Sequence, residues 1–144
     1  MNALTDTAFQ KIEGKMHNYQ KLRRRMLNDR ADLLYGSVGV DYNTPTGHSK
    51  HADSTAQKAI RLMDGSEETK WVDAVEKTHA YFQGQPEAEI IKLLYAQHHN
   101  IAAASKISGL HRGTVRRMRD TVLTRCAMHA AAYGLIDLDR DMLL

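Results

Sequence analysis

Residues 101–119, IAAASKISGLHRGTVRRMR, divide at Ser108-Gly109 into two segments of helical spacing. The reading is a first helix over Ile101–Ile107, a turn at Ser108-Gly109, and a second helix from His111 or Arg112 to Tyr133. Gly109 supplies the positive φ that a tight turn needs without a steric penalty. Ser105, four positions earlier with Ala104 beside it, is small enough for two helices to cross closely. Leu110, Val115 and Met118 fall on the inner side and are expected to be buried and to fix the angle between the helices. His111, Arg112, Gly113, Arg116, Arg117 and Asp120 are left facing outward, with Arg119 at the edge. This is the pattern of a helix-turn-helix whose second helix is basic on its outer face.

The arginines suit DNA because a planar guanidinium can bond two acceptors on a guanine edge or grip a phosphate. A helix of this kind presents its N-terminal turns to the groove, so Arg112, Arg116 and Arg117 are the expected base readers. Lys106, Thr114, Arg119 and Arg125 are the expected phosphate contacts, and His111 completes the outer set. Gly113 lets the backbone approach closely, although it costs a helix about 1 kcal/mol relative to alanine. Any one arginine could equally be a solvated surface residue. Four of them between Arg112 and Arg119, inside one motif, favour contact with DNA.

The remaining composition sets the frame. The chain has 144 residues, 42% hydrophobic and 26% charged, with two prolines. That suits one ordinary domain, or a small domain with an oligomerisation element, and favours an all-α fold. The net charge of +3 is unevenly spread: residues 85–136 hold seven Lys/Arg against three Asp/Glu, residues 1–84 twelve against eleven, and residues 137–144 one against three. The positive excess lies with the helix-turn-helix, as a footprint for phosphate would. The single cysteine, Cys126, excludes an internal disulfide, fits a reducing cytosol and sits on an apolar helical face as filler. No apolar run is long enough to span a bilayer, and the N-terminus lacks a signal-peptide core. The expected location is cytoplasmic, with no membrane partner.

Taken in order, residues 1–35 read as one long helix from about Asp6 to Tyr35, capped by Thr5 or Asp6 and ended by Gly36. Ile12, Tyr19, Met26 and Leu33 recur every seven residues, which suggests a coiled-coil seam and a homodimer. Arg23 and Arg30 interrupt the second seam position, so packing on the same chain is the even-weighted alternative. The run Lys21–Arg25 is read as surface charge. Residues 36–53 carry glycines, Pro45 and turn formers and are expected to be a loop. His48 and His51, with His98 and His99, give no convincing ligand spacing, and neither a metal nor a cofactor is expected. Residues 54–136 form the helical domain. A helix is expected from Asp53 or Ser54 to Gly65, another from Ser66 to Gly84 with Trp71, Val75, Thr78 and Phe82 inward, and a third opened by Pro86 and rich in apolar residues through Tyr95. Asn100 can cap the helix that follows. The tail 137–144 alternates apolar and acidic residues, as an added strand or a packed arm would; an acidic contact to RNA polymerase is a further reading.

GLHRGTVRRMR resembles the second half of the helix-turn-helix in region 4 of sigma factors, with Thr114-Val115 in the recognition helix. The order of segments, from the long first helix through TPTGHSKHADSTAQKAI, WVDAVEK and PEAEIIKLLY to the helix-turn-helix, is similar to that of the ArpU/RinA-like phage transcriptional regulators. The chain departs from that pattern where Ser105 replaces the expected alanine and where ISGLHRG replaces an LGIS-type turn. The resemblance implies a phage or prophage activator, of late genes, acting in a bacterial host at the nucleoid. The expected function is therefore sequence-specific binding of double-stranded DNA in transcription regulation. A DNA-packaging subunit of the small-terminase kind and a helical protein-interaction module are the alternatives. No nucleophile–base pair or phosphate-cradling glycine loop stands out, so no enzymatic activity is expected.

Overall fold

The structure, a computed structural model, describes residues 3–35 and 66–142. The expected loop over 36–53, His48 and His51, and the expected helix ending at Gly65 lie outside the described residues. Those described are all-α: α1 Asp6–His17, α2 Tyr19–Tyr35, α3 Glu67–Phe82, α4 Glu87–Ile91 running into a π-helical segment Lys92–Ala96, α5 Ile101–Ser108, α6 Arg112–Ala132 and α7 Leu138–Asp141. Among them there is no strand, only an isolated antiparallel bridge between Leu4 and Met142.

The helix starts follow from capping. Ala8 N–H donates to Thr5 Oγ1, Thr69 N–H to Ser66 Oγ and Ala103 N–H to Asn100 Oδ1, each giving a partner to a backbone donor that the helix leaves free. The stops use Gly84, Gly109 and Gly134, all at positive φ. The core is continuous. Leu4, Ala8, Ile12 and Met16 of the N-terminal segment meet Trp71, Ala74, Val75 and Phe82 of α3, Ile90 to Tyr95, and the inner face of α6.

The single long first helix expected over 6–35 is corrected to two. Asn18, at φ −97 and ψ 9, separates α1 from α2. The residues on either side are anchored to different neighbours. His17 packs edge-on against Tyr95, while Tyr19 packs edge-on against His79 and donates its hydroxyl to Glu76 at 2.9 Å. A local bend lets both contacts form. The heptad stripe is accordingly spent mostly inside the chain: Ile12 and Met16 are buried, and α2 lies along α3 with Arg25 paired to Glu68 and Arg23 near Glu76. Leu27 and Leu34 remain about half exposed.

The tail is also corrected. Asp137 accepts from Asp139 N–H, and Asp141 accepts from Asp137 N–H, so the acidic residues close a short helix where an added strand was one of the readings. Local side-chain bonds of this kind compete with extended structure. The arm reading survives in part, because Thr5 N–H donates to the Asp141 carbonyl and Ile136 is buried.

Two expectations follow. Ile12→Ala should lower the unfolding free energy in urea by about 2–5 kcal/mol, the usual cost of emptying a core site, while Leu27→Ala should change it by less than about 0.5 kcal/mol. Equal losses would mean that Leu27 is buried as deeply as Ile12. Burial lowers the pKa of His79 below its ordinary 6.5, with Glu76 opposing. A histidine held neutral by the fold stabilises it fully above the unfolded value, and that contribution is lost as pH falls below it. The Tm should therefore drop as pH is lowered through 6.5, and the drop should be smaller in His79→Gln.

Candidate nucleic-acid interface

The approach to α5 is tightly specified. The π-helical segment ends with Gln97 N–H on the Lys92 carbonyl and His99 N–H on the Leu93 carbonyl. His98 then takes φ +57, a conformation uncommon outside glycine, and its ring stacks on His17 at 5.7 Å. Asn100 follows as the cap of α5.

The turn after α5 is held by three bonds. Gly109 N–H donates to the Ser105 carbonyl at 3.0 Å, Ser105 Oγ donates to the Leu110 carbonyl at 2.6 Å, and Leu110 N–H donates to Ser108 Oγ at 3.2 Å. Ser105 thus does more than leave room: its hydroxyl ties α5 to the residue after the turn. With both backbone groups of Leu110 fixed by serines, its side chain lies outside, 36% exposed. The expectation that Leu110 is buried is corrected. Val115 is fully buried and Met118 packs on the edge of the core, as expected.

His111 is the N-cap of α6, its Nδ1 accepting from Gly113 N–H at 3.1 Å. Nδ1 can accept only when it carries no proton. A Cβ at Gly113 would sit 3.3 Å from that same nitrogen, so the glycine leaves space for the capping ring. This role was not apparent from sequence, where both residues read only as part of an outer surface.

The cations separate into two groups. Lys106, Arg112, Arg116 and Arg117 are exposed and make no ion pair among the described residues. Lys106 and Arg112 line one concave corner of about 420 Å³ with Ala102, Ala103 and Ser105. Arg117 reaches the half-buried Thr114 at 3.4 Å and lines a neighbouring groove of about 550 Å³ with Thr121, Arg125 and Tyr81. Arg119, expected as a phosphate contact at the edge of the outer face, belongs to the other group. Its side chain is 23% exposed, bonded to Asp120 at 3.2 Å and set 4.9 Å from the Phe9 ring. Position 119 falls four after Val115 and three before Val122, both buried, so the helical period turns it towards the core. Asp120, expected outward, is turned in with it. The Arg125 guanidinium lies 3.6 Å over Tyr81.

Charge placement at the helix ends is equally uneven. α1, α3, α4 and α7 each carry acidic residues in the first turn, which complement the positive end of the helix dipole. α2, α5 and α6 carry none, and α6 begins with Arg112. The corner therefore adds Arg112 and Lys106 to a helix N-terminus whose partial positive charge no acidic side chain offsets. Among the described residues no group of three or more His, Cys, Asp or Glu is placed to hold a metal, and no helix is long and apolar enough to cross a membrane. Comparison with protein-family models, curated proteins and solved structures gives no match.

Ser105→Ala should cost about 0.5–1.5 kcal/mol, the net value of one hydrogen bond. Gly109→Ala should cost about 1–2 kcal/mol, because it forces a Cβ into the left-handed region. Chemical denaturation of the two single variants checks both. A neutral Gly109→Ala would show that the turn adapts to another conformation.

Proposed function

We propose that the chain binds double-stranded DNA through α5, the Gly109 turn and the first turns of α6, as a sequence-specific transcription regulator. The observation that carries the reading is the set Lys106, Arg112, Arg116 and Arg117: exposed, without carboxylate partners among the described residues, and gathered around a helix start that has no acidic residue in its first turn. A phosphate backbone supplies the anions that this surface lacks. Arg112 and Arg116, four residues apart, share one side of α6 and are assigned to base edges together with Arg117. Lys106, at the end of α5, is assigned to phosphate, with Thr114 beside it. His111 and Gly113 act by setting the start of α6.

The order of segments resembles phage transcription activators, and the proposal takes a phage or prophage promoter as its setting. Two copies on a near-palindromic site would give the affinity that one such unit lacks. The outward Leu27 and Leu34, seven apart on α2, support a surface through which copies could pair. The short acidic helix α7 is available to a polymerase contact. The proposed protein is not an enzyme.

Selecting bound sequences from a random duplex pool and then measuring binding isotherms tests the proposal. Arg116→Ala and Arg117→Ala should each reduce affinity for the selected site by about tenfold or more and relax preference at one position, since a good base contact discriminates by ~1–3 kcal/mol. Lys106→Ala should weaken selected and unrelated duplexes alike and lower the salt slope by about one. Binding that is independent of salt, or enrichment of no sequence, would remove the proposal.

A further inference from the structure

Two departures from regular helix meet at one place. The break at Asn18 brings Tyr19 and Gln20 to the same cleft that the π-helical segment lines with Lys92, Tyr95 and Ala96. The cleft measures about 530 Å³, within the range of small-molecule sites, and its lining is mainly apolar. π-helical turns inside helices recur at functional sites because the extra residue re-aims side chains.

The walls are fixed. Tyr95 is buried and donates its hydroxyl to Glu13 at 2.9 Å, and Tyr19 donates to Glu76 at 2.9 Å. Both rings are therefore held by carboxylates and present only their carbon surfaces, together with Met16 and Ile91. Besides the tyrosines, four polar side chains line the cleft: Gln20 and Gln83, both exposed, and His79 and Lys92. The Nε2 of His79, whose residue lines the cleft, is buried and has no hydrogen-bond partner among the described residues. Trp71 Nε1 and His129 Nε2 are buried and unpartnered in the same way, so the nitrogen adds a polar atom behind the wall and does not itself define the ligand. At the mouth, Lys92 is exposed and makes no ion pair among the described residues. An apolar slot between aromatic rings and a free ammonium at its rim together describe a flat apolar ligand with an anionic group.

We propose that this cleft binds a small aromatic carboxylic acid, its ring between Tyr19, Tyr95 and Ile91 and its carboxylate towards Lys92. The site stands apart from the basic corner, yet the segment Lys92–Ala96 leads directly through residues 97–100 into α5. A ligand seated against that segment bears on the position of α5 and α6 and so on DNA affinity; this regulatory part rests on the proposed function, and the binding part does not.

Calorimetric titration of the full chain without DNA tests the binding part. The probes are indole-3-acetate and its uncharged counterpart indole-3-acetamide. The acid should bind at one site per chain and more tightly than the amide by roughly fivefold, the scale of one exposed charge contact. Lys92→Gln should abolish that difference while leaving amide binding in place. Ala80→Trp, at an exposed position of α3 that lines the cleft, should fill it and weaken both probes at least tenfold, with circular dichroism confirming an unchanged fold. Should that variant unfold, Gln83→Trp on the same rim takes its place. No binding of either probe at millimolar concentration, equal affinity for acid and amide, or binding indifferent to the filling variants would each overturn the site. A change in affinity for the selected duplex with saturating acid would support the regulatory part; unchanged affinity would overturn that part while leaving the site intact, and absence of duplex binding by the ligand-free chain would count against the DNA reading and the regulatory part that rests on it, leaving the site intact.

Discussion

The contact between α3 and α6 is the constraint on which the rest of the structure depends. The two helices share the most extensive packing of any pair among the described residues. Small residues make it close: Ala74 and Thr78 on α3, and Cys126, Ala127 and Ala130 on α6, are all fully buried. The hydroxyl of Thr78 would be an uncompensated polar group there, but it donates to the Ala74 carbonyl at 2.8 Å within its own helix. Burial pushes the Cys126 thiol up to about 11, so it remains neutral and inert. Because α6 is 21 residues long, its later turns can be committed to this contact while its first turns project beyond it. One rod serves as core and as exposed surface, and its orientation is set at the end away from the arginines.

What could be read from the sequence was whatever depends on neighbours in the chain. Thr5, Ser66 and Asn100 cap helices as their side-chain chemistry requires, and Gly84 and Gly109 end them. The apolar sides of α3 and α6 follow from period alone. What could not be read depends on contacts distant in sequence. Nothing in the residues around Asn18 marks a break, since it arises from His17 and Tyr19 being held by different helices. The π-helical turn after Ile91 is similarly silent, and the acidic tail carried two readings because alternation and local capping use the same aspartates. The sequence pattern gave the tail a period of two; the bonds from Asp137 and Asp141 decided against it.

The candidate interface shows the same division. Arg112, Arg116, Arg117 and Arg119 are alike as charges, and composition cannot rank them. Register can. Arg119 lies on the line of Val115, Val122 and Cys126, and the Phe9 ring and Asp120 receive it there. Arg116 and Arg117 lie off that line and stay outside. The departures at Ser105 and His111 were visible as letters, but their purpose was not. A serine in place of alanine gives the turn a bond to Leu110, and a histidine before Arg112 supplies a cap in place of the usual serine or aspartate.

That choice of cap matters electrostatically. An aspartate at position 111 would cap α6 equally well, and it would also place a negative charge at the helix end among Lys106, Arg112 and Arg116. An uncharged imidazole satisfies the backbone without cancelling the local field. Several other cations are paired or sheltered: Arg23 and Arg25 face glutamates, Lys11 and Lys15 lie over Trp71, Lys77 over Tyr133 and Arg125 over Tyr81. Exposed ion pairs contribute at most about 1 kcal/mol each, so leaving four cations unpaired costs the fold little. It concentrates positive potential where the arginines, the lysine and the end of the α6 dipole add with the same sign. Stability is indifferent to that arrangement, and attraction of an anionic partner is not.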